Sequence, residues 1–373
     1  VAEEKKLMTD KEVILVTGVA DYWGLEVARS LIDKTDPQGD AAYRVIGLDV
    51  NPLQETIQGL DFIQADIRNS LMTELLRTEG VQTVCHLVFV ERINHSEASF
   101  DVNVMGTMKL LGACAEAGVR KVVMKSSTVV YGALPENPAF ITEDHPLQGS
   151  RSYGYTRHLV EIEAFCNGFR RQVPEMILTI LRFASIVGLN AETPMTRFLK
   201  QSLSPVLLGF DPLMQVIHEK DVVAALVQAV EYDKPGVYNV AAEGVLPLSR
   251  LMALAAKIPV PVFHLFAYWG VDLFSSAGLS AKKIVPIELD YLRYPWIADL
   301  ERMHNELGFT PQYSAEEALR EFAGEQRMRR YMPEKPNLAY DEERLRDTLE
   351  RRRRAKGIDA DEESNRREAI NHE

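Results

Sequence analysis

Tyr153 and Arg157 stand four residues apart in a stretch with helical spacing, Ser152 to Arg171, and so share one helix face. A tyrosine beside a fixed cation can do proton chemistry. The phenol ordinarily ionises near pH about 10, and a neighbouring positive charge lowers that value toward the range where tyrosinate takes a proton from an alcohol. Ser126 and Ser127 close an apolar segment that begins at Lys121, and a hydroxyl there can orient a substrate oxygen. Read blandly, Tyr153 is a helix tyrosine with its hydroxyl at the rim, and the serines are a polar strand end.

These groups need elements to hold them. Val13 to Thr17 is a short apolar run rich in β-branched residues, the pattern of a strand buried on both faces of a parallel sheet. Gly18 ends it. Beyond Asp21 the spacing turns helical, with Leu25, Ala28, Leu31 and Ile32 on one face. Strand, glycine turn and helix open dinucleotide-binding α/β domains, where the helix N-terminus offers free N–H groups to a pyrophosphate. A ligand-free turn shows the same local pattern. Further strands are expected at Tyr43 to Asp49, Asp61 to Gln64, Thr83 to Val88, Lys121 to Ser126 and Met176 to Arg182, with a long helix from Ser96 to Ala117 stopped by Gly118. This alternation predicts an α/β fold: a Rossmann-like, doubly wound parallel sheet with a smaller C-terminal substrate lobe. The expected division is residues 1–188 for the Rossmann domain (mainly 12–188, with segments such as 215–243 returning to it), 189–330 for the lobe and 331–373 for a charged arm. Ser314 and Glu317 form a capping box for a late helix.

Composition narrows the function classes. The chain has 373 residues and a net charge of −12, which disfavours a nucleic-acid surface. Cys85, Cys114 and Cys166 sit in apolar contexts and read as buried thiols in a reducing, cytoplasmic compartment. No CxxC pair or histidine cluster suggests a metal. Residues 1–12 are charged, without the apolar centre of a signal peptide. No run reaches the roughly 18 to 20 apolar residues of a membrane span. Ile258 to Leu279 is apolar and aromatic: a lobe-packing helix, or an entrance for an apolar substrate or a peripheral membrane contact. Arg351 to Arg354, near Asp347 and Glu350, form a solvated helix face or a contact for an anionic surface.

From about residue 12 to 325 the chain resembles the extended short-chain dehydrogenase/reductase family, of the NAD-dependent epimerase/dehydratase type. The motifs occur in order: TG…G at 17–24, Asp49 at a strand end, Asp66 in QADI, HLV at 86–88, NVMGT at 103–107, SSTVVYG at 126–132, YGYTR at 153–157, LRFASIVG at 181–188 and VIHEKD at 216–221. The resemblance implies NAD as cofactor, held by Gly18, Asp21, Trp23, Gly24, Asp49, Asp66, Ile67, Leu87, Val88, Asn103, Ser126, Phe183 and Ser185. It implies Ser127 as hydroxyl donor, Tyr153 as base and Arg157 as its cation. It also implies a homodimer through the helices at 96–117 and 152–171. Asp49 would accept hydrogen bonds from the adenosine ribose and repel a 2′-phosphate.

The departures from that pattern fall in the reactive set. Arg157 stands where the family has lysine; it keeps the charge but directs its donors differently. Asp21 replaces the second loop glycine, adding bulk and negative charge where a diphosphate would lie, or capping the helix itself. Ser185 and Met214 replace an asparagine and the arginine that would hold a sugar nucleotide's diphosphate. Val88, Phe89, Phe183, Met195, Phe198 and Met214 form either an apolar pocket or simply the core between the lobes. Three readings stay open: an enzyme for a nucleotide sugar, an enzyme for a more apolar alcohol, and a non-catalytic nucleotide sensor, assembly subunit or scaffold.

Overall fold

The computed structural model describes residues 11–91, 96–201, 203–264 and 287–331, with 345, 346, 348, 349, 351 and 352. The greater part of the apolar segment 258–279 and most of the arm, including Arg353 and Arg354, lie outside these residues. The chain divides into two compact units, Val1–Ala323 and Gly324–Glu373. In the second, the described residues are helical.

Seven parallel strands form the central sheet in the order β11-β6-β5-β4-β1-β2-β3. They are β1 (Glu12–Thr17), β2 (Tyr43–Asp49), β3 (Leu60–Gln64), β4 (Thr83–His86), β5 (Lys121–Ser127), β6 (Ile177–Phe183) and β11 (Gly236–Val240). Helix α1 (Tyr22–Ile32) and helix α6 (Glu219–Glu231) cover one face. There Val27 and Leu31 meet Val222, Leu226, Ile14 and Val16. On the other face lie α2 (Met72–Glu79), α3 and α4 (Gly154–Gln172), where Leu76, Leu110, Ile162 and Phe169 meet Leu15 and Val84. Adjacent strand residues thus enter opposite cores, which is why β1 reads as an unbroken apolar run. The strand order reverses between β1 and β4, the position at which such sheets open a ligand crevice.

Several boundaries differ from the sequence expectation, each for a local reason. β4 stops at His86, not Val88, because Leu87 N–H donates to the Thr17 hydroxyl at 3.1 Å instead of extending the ladder. The helix expected from 96 to 117 is interrupted. It starts at Glu97–Phe100 on a Ser96–Ser99 capping box, passes through a π turn at Asp101–Met105 and continues as Gly106–Ala117; together these are α3. The Thr107 hydroxyl donates to Asn103 O at 2.5 Å within that turn, a side-chain intrusion of the kind that loosens a helix ladder. α4 begins at Gly154 rather than Ser152, leaving Tyr153 as the N-cap in extended conformation.

Beyond β6 the chain builds small paired strands. β7 (Ser185–Val187) pairs with β10 (Val216–His218), β9 (Leu213–Met214) with β12 (Leu246–Pro247), and β8 (Leu203–Leu207) with β13 (Ile258–Val262). With α5 (Pro194–Lys200) and α7 (Leu248–Leu254) they enclose a separate core around Phe198, Met214, Leu251 and Leu292. α8 (Ala315–Tyr331) opens on Ser314 and Glu317, whose side chains bond reciprocally to each other's backbone N–H.

Candidate functional site

The phosphate turn follows β1. Gly18 has φ +77°, a conformation that disfavours any side chain, and a Cβ there would lie 3.1 Å from the Leu87–Val88 backbone. A Cβ on Gly24 would run into the Gly18 carbonyl, so the first turn of α1 sits directly on the loop. Asp21 is the N-cap by backbone, yet its side chain makes no capping bond, contrary to the expectation that it could satisfy the helix N–H groups. Partial desolvation and the charge of Asp49 hold its carboxyl above the usual range. Asp49 is buried, accepting from Ala20 N–H at 3.1 Å and Asn51 N–H at 2.8 Å, and so ties the phosphate turn to the end of β2.

A cleft of about 580 Å³ opens here. Gly18, Asp21, Trp23, Asp49, Asp66, Ile67, Leu87 and Val88 all line it. Hydrogen bonds from Arg68 hold the Asp66 carboxyl below the usual range, and Arg68 also pairs with Asp101. Asn103 lies behind the wall: it donates to Val90 O at 2.9 Å and accepts from Val90 N–H at 2.7 Å, fixing the segment after β4. Ser126 donates to Glu163 at 2.5 Å, and Glu163 in turn pairs with Arg182, both 2 % exposed. Phe183, expected at the cofactor, is fully buried in the sheet core instead.

The reactive groups come together differently from the sequence expectation. Ser127 caps the 3₁₀ turn at Thr128–Tyr131, which fixes its side chain. Ser127 shares a pocket lining with both Tyr153 and Tyr155, and it is Tyr155 whose ionised form its hydroxyl favours. Burial pushes the Tyr155 hydroxyl up and Glu91 adds to the rise, while the Ser127 bond and Arg197 pull it back. Tyr155 also meets Phe89 edge-on, centroids 5.5 Å apart. Four residues on, facing the same way along α4, is buried Leu159. Arg157 N–H donates to the Tyr153 carbonyl at 2.9 Å, but its side chain is engaged elsewhere. Its guanidinium runs along α4 and donates to Glu161 at 3.1 Å. The shared-face argument fails because Tyr153 lies outside the helix, with φ −99° and ψ 117°. Tyr153 instead lines a second, small pocket of about 60 Å³ with Ser127, Tyr155, Ser185, Met195 and Glu288. Burial raises its hydroxyl, Glu288 raises it further and Arg197 lowers it. Phe198 and Met214 belong to the core, whereas Val88 and Phe89 face the cleft.

Three groups escaped sequence reasoning. Glu91 lines both cleft and pocket; its Oε1 is 4.0 Å from Lys125 Nζ and its Oε2 3.7 Å from an Arg197 nitrogen. Lys125 also lies over the Trp23 ring, 5.1 Å from its centroid. Lys125 precedes the serine pair and so was legible as a neighbour of the site. Nothing in the local pattern of Glu91 or Arg197 marked them. Among the described residues no cluster of three metal-ligating side chains exists, and no helix is long and apolar enough to cross a membrane.

Comparison with known proteins gives the same picture. An uncharacterized protein of Mycobacterium tuberculosis is 33% identical over 319 residues, 83% of each chain. The UDP-glucose 4-epimerase of Klebsiella pneumoniae is 32% identical over 140 residues, 34% of this chain and 96% of that one. Two solved structures share the fold. UDP-glucose 4-epimerase of Thermotoga maritima, with UDP-glucose, has TM-score 0.64 at 20% identity, covering 85% of this chain and 99% of that one. The dTDP-glucose 4,6-dehydratase DesIV of Streptomyces venezuelae, with NAD bound, has TM-score 0.65 at 20% identity, covering 86% and 98%. The NAD dependent epimerase/dehydratase family model matches residues 14–241, and the chain, with its parallel sheet, glycine turn and Asp49-tipped second strand, belongs to that family.

Proposed function

We propose that the chain is an NAD-dependent enzyme of the epimerase/dehydratase type, acting on a hydroxyl- or carbonyl-bearing carbon held between Ser127 and Tyr155. The observation that carries this reading is that Ser127 and Tyr155 line one pocket, while Tyr155's neighbours Glu91 and Phe89 line the cleft.

The cleft fits a dinucleotide at its adenosine end. Gly18 and Gly24 leave the backbone bare where a Cβ would collide, Asp49 stands at the tip of β2, and Asp66–Ile67 form the adjoining wall. Asp49 retains lone pairs for a ribose after its two backbone bonds, which favours NAD over NADP. When bound, NAD supplies the hydride acceptor and donor. The chain's own groups handle the proton. With its pKa raised, Tyr155 is a neutral phenol near pH 7, hence a proton donor. It gives that proton to a substrate carbonyl oxygen that Ser127 orients, and takes one back in the reverse direction. The lobe pocket supports an uncharged, partly apolar hydroxyl compound over a diphosphate: its described lining includes Glu91 and Glu288 but no lysine or arginine. Cytoplasmic residence and homodimerisation through α3 and α4 belong to the same proposal.

The test is a pair of variants assayed with NAD, UDP-glucose and a panel of apolar alcohols. Tyr155→Phe should lower hydride transfer by about 10²-fold or more, the usual worth of a positioned acid–base group. Tyr153→Phe should lower it only a few-fold. The reverse ranking would return the role to Tyr153. A second reading, a nucleotide-binding protein without turnover, draws on Leu159, which leaves Tyr155 with no cation one helical turn away. Dinucleotide binding with no hydride transfer across the panel would support it.

A further inference from the structure

The described lining of the cleft holds more acids than bases, and one acid, Asp21, lies on the phosphate turn. A diphosphate bound there would meet repulsion that the helix N-terminus only partly offsets. Arg68 is already engaged by Asp66 and Asp101. The remaining cations on the lining are Lys125, from β5, and Arg197, from α5.

These two are unusually placed. Lys125 is 11% exposed; among the described residues it meets Glu91 at 4.0 Å and the face of Trp23. Arg197 donates to Glu192 O at 3.3 Å and reaches Glu91 at 3.7 Å. Both separations from Glu91 exceed a hydrogen bond. Among the described residues, Glu91 Oε2 and Arg197 Nε are buried without any hydrogen-bond partner. Buried charged groups normally have such partners, because leaving them unmade is costly. The cluster is therefore incomplete as it stands: one buried donor, Arg197 Nε, and one buried carboxylate oxygen of Glu91 go unpaired among residues that line the cleft.

We infer that Lys125 and Arg197 form the clamp for the diphosphate of the dinucleotide, with Glu91 holding the two cations in place and competing with the ligand for them. The clamp replaces the charge that Asp21 takes from the phosphate turn. It rests on the proposed NAD site but concerns different residues from those that hold the adenosine or move the proton.

The experiment is calorimetric titration of the full chain with NAD, ADP-ribose and adenosine. Lys125→Met and Arg197→Met should each weaken NAD and ADP-ribose by about tenfold or more, the value of a lost charge-assisted hydrogen bond. Adenosine, which lacks the diphosphate, should bind the variants as it binds the parent. Glu91→Gln keeps the shape, releases the cations and should tighten NAD and ADP-ribose several-fold. Arg197→Lys should recover part of the loss. Unchanged NAD affinity in both methionine variants would overturn the clamp, as would an equal loss for adenosine or a loss of NAD affinity in Glu91→Gln. If the parent chain binds neither NAD nor ADP-ribose, the proposed cofactor site falls and the clamp with it. Binding by the parent that the variants leave unchanged removes the clamp alone.

Discussion

At the scale of single residues, charge decides most of what this site can do. Asp21 faces the cleft without a capping bond, beside Asp49. Asp21→Asn removes the charge at constant shape and should tighten NAD several-fold in calorimetry; weaker binding would mean that the carboxylate contacts the ligand as an acceptor. Glu91 gives a pH signature. Burial raises its folded pKa above the ordinary carboxyl value, with Lys125 and Arg197 opposing. A raised carboxyl pKa means the ionised form costs stability, so the cost is absent below the ordinary carboxyl pKa of about 4, grows as pH rises toward the folded pKa and is full above it. Glu91→Gln should therefore melt higher than the parent at pH 7, and the two melting curves should converge near pH 4. A gain that persists at pH 4 would show that charge is not its source. The sequence displayed Asp21, Asp49 and the serine pair because each sits on a local signal, a turn or a strand end. It could not display Glu91 or Arg197, whose meaning comes from packing across 106 positions of chain, the separation of residues 91 and 197.

At the scale of elements, the decisive fact is where α4 starts. Tyr153 and Arg157 have the right spacing for one helix face, but the helix begins at Gly154 and Tyr153 stays extended. Spacing argues for a shared face only inside the helix, and helix ends are the least legible feature of a sequence. Tyr155 then takes the place beside Ser127. The rotation of α4 is fixed further along by Glu163, which accepts from Arg182 Nε at 2.9 Å and from Ser126 at 2.5 Å, while Arg182 also donates to the Tyr131 hydroxyl at 2.6 Å. Removing one partner of such a buried pair leaves a stranded charge, worth about 3–5 kcal/mol. Glu163→Ala should show that loss in denaturant unfolding. A loss below about 1 kcal/mol would mean that α4 is held by its apolar face alone. The network escaped prediction because its partners lie on different elements: Arg182 sits in the LRFASIVG motif, but Glu163 belongs to none.

At the scale of the molecule, the alternation of strands and helices was enough to expect a doubly wound sheet, because each crossover follows from short apolar runs separated by amphipathic helices. The small paired strands around Phe198 and Met214 were not legible. Four of them have only two or three residues and carry too little periodicity to be read. The sheet order sets the site: the reversal between β1 and β4 opens the cleft, and β5 brings Ser127 to the second pocket, which shares Glu91 with the cleft. The most direct test is a crystal structure of the chain grown with NAD. The expected result places the adenosine ribose on Asp49, the diphosphate between Lys125 and Arg197, and the nicotinamide beside the Ser127–Tyr155 pair. A dinucleotide whose nicotinamide lies away from that pair, or a cleft that takes up no NAD at saturating concentration, would contradict it.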